Sequence, residues 1–137
     1  MRVADLMQTD LRTVSPDATI GDVVQQLADT HMTGLPVIEA GGRLVGVVST
    51  IDLLDAEASV GRGREREALF ENTLAKDIMT PRPLTIAPEE DVREAAQQML
   101  YAEVPGIFVE AEGQLVGVIS QSDIVRAVAQ GVISTGA

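Results

Sequence analysis

The stretch Leu44-Val45-Gly46-Val47-Val48-Ser49 returns 71 residues later as Leu115-Val116-Gly117-Val118-Ile119-Ser120. Upstream of each copy, Asp5-Leu6-Met7 returns 72 residues later as Asp77-Ile78-Met79. Ordered matches at a nearly constant spacing are the signature of an internal repeat. The chain of 137 residues is therefore predicted to contain two copies of one structural unit.

Each copy has the pattern of a βαββα unit. In the first copy, Thr13-Val14-Ser15 is predicted to be a short strand, and Thr19 begins a helix whose apolar residues follow helical spacing. Two apolar, β-branched runs then flank residues 39–43, where Gly41-Gly42 can supply the positive φ of a hairpin turn. A second helix is expected to open at Ser49.

These elements predict the α/β (α+β) class. We expect one repeat at residues 1–58, a linker with a short helix at 59–73, the second repeat at 74–131, and a tail at 132–137. A unit of about 55 residues with one apolar sheet face is marginally stable alone. The two repeats are therefore predicted to pack sheet to sheet about a pseudo-two-fold axis, with clefts between them.

Composition argues against several classes of protein. A net charge of −11 repels a phosphate backbone, and 2% aromatic residues cannot build a base-stacking platform, so no nucleic-acid partner is expected. The chain has no cysteine, and His31 is its one histidine, so no histidine-based metal cluster can form. We find neither a phosphate-loop motif nor a catalytic triad, and we predict that the chain is not an enzyme.

The apolar runs of the chain are short. No run approaches the roughly 20 residues that cross a bilayer, so no membrane partner is expected. Residues 1–5 lack the apolar core of a secretory signal. The expected location is the cytoplasm.

The repeated motifs resemble the CBS domain family, named for cystathionine beta-synthase, over nearly the whole chain. In the first repeat the resemblance rests on Asp5-Leu6-Met7, on residues 33–38 and on residues 42–52. In the second repeat it rests on residues 77–80, 106–109 and 113–123. The second repeat departs from the pattern where Phe108 replaces Pro36 and Pro105 replaces Thr33.

The resemblance implies that the clefts bind an adenosine-type ligand of the AMP, ADP, ATP or S-adenosylmethionine class. At both strand-to-helix junctions a serine hydroxyl and free backbone N–H groups could hold phosphate. By the resemblance, Asp52 and Asp123 would accept hydrogen bonds from ribose hydroxyls. The alternative is that Ser-x-x-Asp is simply a capping box, in which Ser49 or Ser120 satisfies the start of a helix.

The resemblance also assigns residues to two clefts, each drawing on both repeats. The tighter cleft would contain Met7, Arg12, Met32, Thr33, Gly34, Ser120, Ser122, Asp123 and Arg126. The weaker cleft would contain Ser49, Thr50, Asp52, Thr80, Leu84, Val104, Pro105 and Gly106. The ranking follows from Pro105, which has no N–H to donate.

Some of these assignments have structural alternatives. Core packing is the alternative role for Met7, Met32, Leu84 and Val104. Arg126 could face phosphate or could pair locally with Asp123.

The predicted function is a regulatory, ligand-sensing module that needs no cofactor and changes conformation or dimer geometry when the ligand binds. A homodimer is expected, and an unidentified protein target would receive the signal. The helices that open at residues 51 and 124 carry more apolar residues than one buried stripe requires, which favours a second contact surface. The alternative function is a structural dimerisation module with vestigial clefts.

Overall fold

The structure is a computed structural model that describes residues 1–29, 34–58 and 63–131. The chain divides into two compact units. We call Arg12–Pro83 the central unit, and Met1–Leu11 together with Leu84–Ala137 the terminal unit. In chain order the elements are α1 (Val3–Leu6), α2 (Ile20–Ala28), β1 (Gly34–Ile38), β2 (Leu44–Ser49), α3 (Thr50–Ala58), α4 (Arg64–Asn72), α5 (Ala75–Ile78), β3 (Thr80–Pro81), β4 (Thr85–Ile86), α6 (Val92–Ala102), β5 (Gly106–Ala111), β6 (Gln114–Ser120) and α7 (Gln121–Ala129).

The central unit contains the predicted hairpin. Strands β1 and β2 pair antiparallel, with Gly34 opposite Ser49, and the strand order is β1-β2-β3. Gly41 and Gly42 have φ values of 96° and 89°, which confirms the predicted turn. The predicted first strand is reduced to Val14, which makes an isolated parallel bridge to Val37.

The terminal unit contains the second hairpin in the order β4-β5-β6, with β4 parallel to β5 and β6 antiparallel to it. Glu112 and Gly113, at φ 54° and 80°, form its turn. Residues 39–43 separate Ile38 from its partner Leu44, whereas residues 111–114 separate the paired residues Glu110 and Leu115. The second hairpin is one residue shorter, which explains why the repeat spacing falls from 72 to 71.

The compact units do not follow the order of the repeats along the sequence. The segment that opens the first repeat packs in the terminal unit, where Val3 joins the core and Gln8 bridges Val118 of β6. The segment that opens the second repeat packs in the central unit, where Ala75 joins the core and β3 extends β2. The repeats thus exchange their opening segments, which the sequence pattern of two consecutive βαββα units did not indicate.

Each unit has its own apolar core. The terminal core consists of Val3, Ile86, Val92, Ala95, Met99, Ile107, Val109 and Ile119. The central core consists of Val14, Val23, Leu27, Leu35, Val37, Val48 and Ala75. Helix α6 buries Val92, Ala95 and Met99, whereas Leu100 is 76% exposed.

The structure contains the predicted linker helix and the predicted start of α2. The linker helix is present as α4, and Thr19 caps α2 by accepting a hydrogen bond from the Asp22 N–H at 3.2 Å. Within the described residues, no helix is long and apolar enough to cross a membrane.

Helices alternate with two three-stranded sheets, which confirms the mixed α/β class.

Candidate functional site

The junction between β2 and α3 lies in the central unit and is called the Asp52 junction. The Ser49 N–H donates to Asp52 Oδ2 at 2.8 Å, and the Asp52 N–H donates to Ser49 Oγ at 3.1 Å. This reciprocal pair is a capping box. Thr80 Oγ1 also approaches Asp52 Oδ1 and Oδ2 at 3.3 and 3.4 Å. The Asp52 side chain remains only half-buried.

The junction between β6 and α7 lies in the terminal unit and is called the Asp123 junction. It has the same box, with Ser120 N–H donating to Asp123 Oδ2 at 2.9 Å and Asp123 N–H donating to Ser120 Oγ at 3.2 Å. The Ser120 hydroxyl itself donates to Asp123 Oδ2 at 2.9 Å. Gln8 Nε2 and Arg126 Nη1 reach Asp123 Oδ1 at 3.0 and 3.4 Å. Asp123 is 5% exposed.

Beside each junction, a methionine of the exchanged segment packs over a glycine of the strand. A Cβ added to Gly117 would lie 2.7 Å from Met7 Sδ and 2.9 Å from the backbone oxygen of Gln8. A Cβ added to Gly46 would lie 2.5 Å from Met79 Sδ and 3.0 Å from the backbone oxygen of Thr80. Glycine in the middle of β2 and β6 therefore permits this close approach.

The residues predicted for the tighter cleft fall in both units. Met7, Ser120, Asp123 and Arg126 lie together in the terminal unit, with Met7 packed against the core. Met7 packs and Arg126 pairs with Asp123, as the structural alternatives for these two residues predicted, and their contact with a ligand stays a prediction. Ser122 is exposed on α7. Met32 and Thr33 lie outside the described residues, as does His31.

The other two members of the predicted tighter cleft lie in the central unit. Arg12 donates to Gln26 Oε1 at 3.2 Å and borders an open cavity of about 340 Å³ against α2. Gly34 lies opposite Ser49 in the sheet. The grouping of these two residues with Ser120 stays a prediction.

The residues predicted for the weaker cleft are also divided. The central unit brings Ser49, Asp52 and Thr80 together, with Thr50 exposed at the start of α3. Leu84 is exposed in the terminal unit, and residues 104–106 lie beside the Asp123 junction there. Gln121 Nε2 donates to the Val104 oxygen at 3.4 Å, Gln121 N–H donates to the Pro105 oxygen at 2.9 Å, and Gly106 lies opposite Ser120. Their grouping with Ser49 likewise stays a prediction.

Gln8 is the residue at these junctions that the sequence reasoning missed. It occupies the position in the first repeat that Thr80 occupies in the second, because both directly follow the Asp-x-Met motif. Thr80 was assigned to a cleft from the family pattern. Gln8 was not, because a glutamine differs from the threonine at the matching position. Applying the repeat spacing to Thr80 would have identified Gln8.

No group of three or more histidine, cysteine, aspartate or glutamate side chains suited to a metal ion occurs within residues 1–29, 34–58 and 63–131. The junctions instead present hydroxyls, helix-start N–H groups and one carboxylate each. Such groups can hold phosphate and a hydroxyl-bearing ligand.

Known proteins resemble this chain over most of its length. CBSX1, a chloroplastic CBS domain-containing protein of Arabidopsis thaliana, is 31% identical over 88% of this chain, which spans 60% of that protein. An inosine-5'-monophosphate dehydrogenase of Korarchaeum cryptofilum is 31% identical over 90% of this chain but is matched over only 23% of its own length. The chain thus spans less than two thirds of these curated relatives.

Solved structures match this chain almost end to end, among them that of CBSX2. CBSX2 of Arabidopsis thaliana in complex with AMP is 32% identical, with a TM-score of 0.79, over 94% of this chain and 96% of that one. Residues 3–59 and residues 75–130 each match the CBS domain. The two matches, the duplicated Ser-x-x-Asp junctions and the shared fold lead to one conclusion: the chain belongs to the CBS domain family and is a tandem pair of CBS domains.

Proposed function

We propose that this chain is a regulatory module that binds an adenosine-type ligand, of the AMP, ADP, ATP or S-adenosylmethionine class, at the Asp52 and Asp123 junctions. The observation that carries the proposal is the duplicated junction, in which a strand ends, a serine begins a helix, and a carboxylate lies one turn later. The likeness to CBSX2, whose crystal structure contains AMP, supports the ligand class.

The chemistry of the junctions suits the two ends of such a ligand. The first N–H groups of α3 and α7 have no backbone acceptor within their own helix, and the helix dipole favours a negative charge there. Those of Gln121, Asp52 and Asp123 donate to the Pro105 oxygen and to the two capping serines, so a phosphate would add to these contacts or replace them. A carboxylate can accept hydrogen bonds from the two vicinal hydroxyls of a ribose. Phosphate near Ser49 or Ser120 and ribose at Asp52 or Asp123 would use both features.

The proposal describes a sensor and not an enzyme. Its output would be a change of conformation or of dimer geometry, which requires the ligand to bind one state better than another. The cytoplasmic location stays a prediction, and CBSX1 is a chloroplastic protein. The unidentified protein target also stays a prediction.

A structural dimerisation module is the second candidate function. Helix α3 has no buried residue, and its Ile51 and Leu54 are 68% and 65% exposed. Val125 of α7, at the repeat position of Leu54, is also exposed. Exposed apolar side chains at matched positions favour a contact with a second copy of the chain. The homodimer itself stays a prediction.

Calorimetric titration with AMP distinguishes the two functions. Removing a carboxylate that holds ribose should cost about 1.5 to 3 kcal/mol, or roughly tenfold to a hundredfold in affinity. We therefore expect Asp52→Ala and Asp123→Ala each to weaken one binding event, and the double variant to lose both. The sequence-based ranking predicts that Asp123→Ala removes the tighter event, whereas the four hydrogen bonds that Asp123 already accepts favour tighter binding at the Asp52 junction.

Asp91→Ala is the matched control for these variants. Asp91 also caps a helix, by accepting from the Arg93 N–H at 2.8 Å, and its loss changes the net charge equally. AMP binding should be unchanged in this variant. No heat of binding with AMP, ADP, ATP or S-adenosylmethionine would instead favour the dimerisation module.

A further inference from the structure

The carboxylate of Asp123 has no acceptor position left for a ligand. Oδ2 accepts from the N–H and the hydroxyl of Ser120, both at 2.9 Å. Oδ1 accepts from Gln8 Nε2 at 3.0 Å and from Arg126 Nη1 at 3.4 Å. A carboxylate offers about four lone-pair positions, so these four hydrogen bonds fill them.

The position of Gln8 is fixed by its main chain. The Gln8 N–H donates to the Val118 oxygen at 2.8 Å, and the Val118 N–H donates to the Gln8 oxygen at 3.0 Å. Met7, the preceding residue, packs over Gly117. These two backbone hydrogen bonds hold Gln8 beside β6. From this position, the choice of side-chain rotamer alone brings the Gln8 amide to Asp123.

The Asp52 junction lacks an equivalent block. Thr80 occupies the repeat position of Gln8, but its Oγ1 lies 3.3 and 3.4 Å from the two Asp52 oxygens, and its single proton can be donated to one of them at a time. Among the described residues, the other donor to this carboxylate is the Ser49 N–H. The half-buried Asp52 therefore keeps acceptor positions that Asp123 lacks.

We infer that Gln8 is an internal competitor for the ribose-binding position of Asp123. This inference rests on the proposed function, and it adds that a ligand with vicinal hydroxyls must displace the Gln8 amide before both hydroxyls can bind. Gln8 and Arg126 are both exposed, but Arg126 yields more easily, because its contact with Asp123 Oδ1 is 3.4 Å long against 3.0 Å for Gln8. Ligand binding at the Asp123 junction therefore removes one of the hydrogen bonds that hold the opening segment, which carries Gln8, in the terminal unit.

The test is an AMP titration in the Asp52→Ala background, so that only the Asp123 junction is measured. Gln8→Ala and the near-isosteric Gln8→Met both remove the competing donor while keeping the backbone bridge to Val118. We expect each to bind AMP about fivefold more tightly than the background, because a hydrogen bond that must be broken no longer opposes binding. Circular dichroism checks that each variant is folded.

Gln97→Ala in the same background is the matched control: it removes an exposed glutamine from α6 of the same unit and should leave the affinity unchanged. Equal or weaker AMP binding by both Gln8 variants would overturn the competitor role while leaving the proposed function intact. AMP binding by the Gln8 variants but not by the background would support the competitor role in its strongest form. Loss of AMP binding in every protein, including the wild type, would overturn the proposed function and the competitor role together.

Discussion

The two junctions share a motif but differ in the side chain that meets the carboxylate. Both have a serine at the end of a strand and an aspartate three residues later, in a capping box of nearly identical distances. At Asp123 the long amide of Gln8 makes a 3.0 Å hydrogen bond, whereas at Asp52 the short hydroxyl of Thr80 stays at 3.3 Å or beyond. A repeated motif thus fixes local geometry, while Gln8 of the exchanged segment, together with Arg126 and the Ser120 hydroxyl, sets how much of the Asp123 carboxylate is available.

The largest expected effect is a difference in stability between the two aspartate variants. Asp123→Ala should lower the free energy of unfolding by about 3 kcal/mol, because it removes a buried carboxylate that accepts four hydrogen bonds and leaves the partly buried N–H and hydroxyl of Ser120 without this acceptor. Asp52→Ala should cost about 1 kcal/mol, the usual loss of a helix cap, because water can replace the half-exposed carboxylate. Urea unfolding followed by circular dichroism measures both. Equal losses of unfolding free energy in the two variants would contradict the proposed difference between the junctions.

The glycine variants should show where the junctions are alike. Gly46→Ala and Gly117→Ala should each cost about 2 kcal/mol, since the added methyl meets a methionine sulfur and a backbone oxygen. The measurement is the urea midpoint of each variant. Gly21→Ala is the comparison variant and should cost less: its added Cβ meets the Phe70 backbone oxygen at a tight 3.3 Å, but alanine's preference for helix α2 offsets part of this. A loss in only one strand variant would show that just one methionine is tightly packed.

The smallest effect is expected at the ion pair of the Asp123 junction. Arg126→Ala should cost about 0.5 kcal/mol at low salt, because the arginine is mostly exposed and the contact is 3.4 Å long. The loss should shrink further in 0.5 M salt, since the Debye length then falls to about 4 Å. Arg93→Ala, which removes an exposed charge of the same sign from the same unit, is the control. A loss of unfolding free energy larger than that of Asp52→Ala would contradict this expectation and show that the ion pair with Arg126 is a major stabilising contact of Asp123.

The local elements were largely predictable from the sequence. Apolar runs around Gly41-Gly42 predicted the hairpin, and Thr19 predicted the start of α2, because turns and helix caps depend on residues a few positions apart. The serine and aspartate of both junctions were identified for the same reason. The short helices α1 and α5 were not predicted, since four residues each carry no helical period that a pattern could reveal.

The sequence by itself determined the repeat, the mixed α/β class, the hairpins and the capping boxes, all of which follow from short-range patterns. Tertiary structure alone determined which opening segment packs with which sheet, because Val3 and Ala75 could in principle be buried against either apolar core. That exchange brings Gln8 within 3.0 Å of Asp123, although 115 residues separate them in the chain. Hydrogen bonds over such separations leave no periodic trace in a sequence, so the difference between the two carboxylates became visible only in the folded chain.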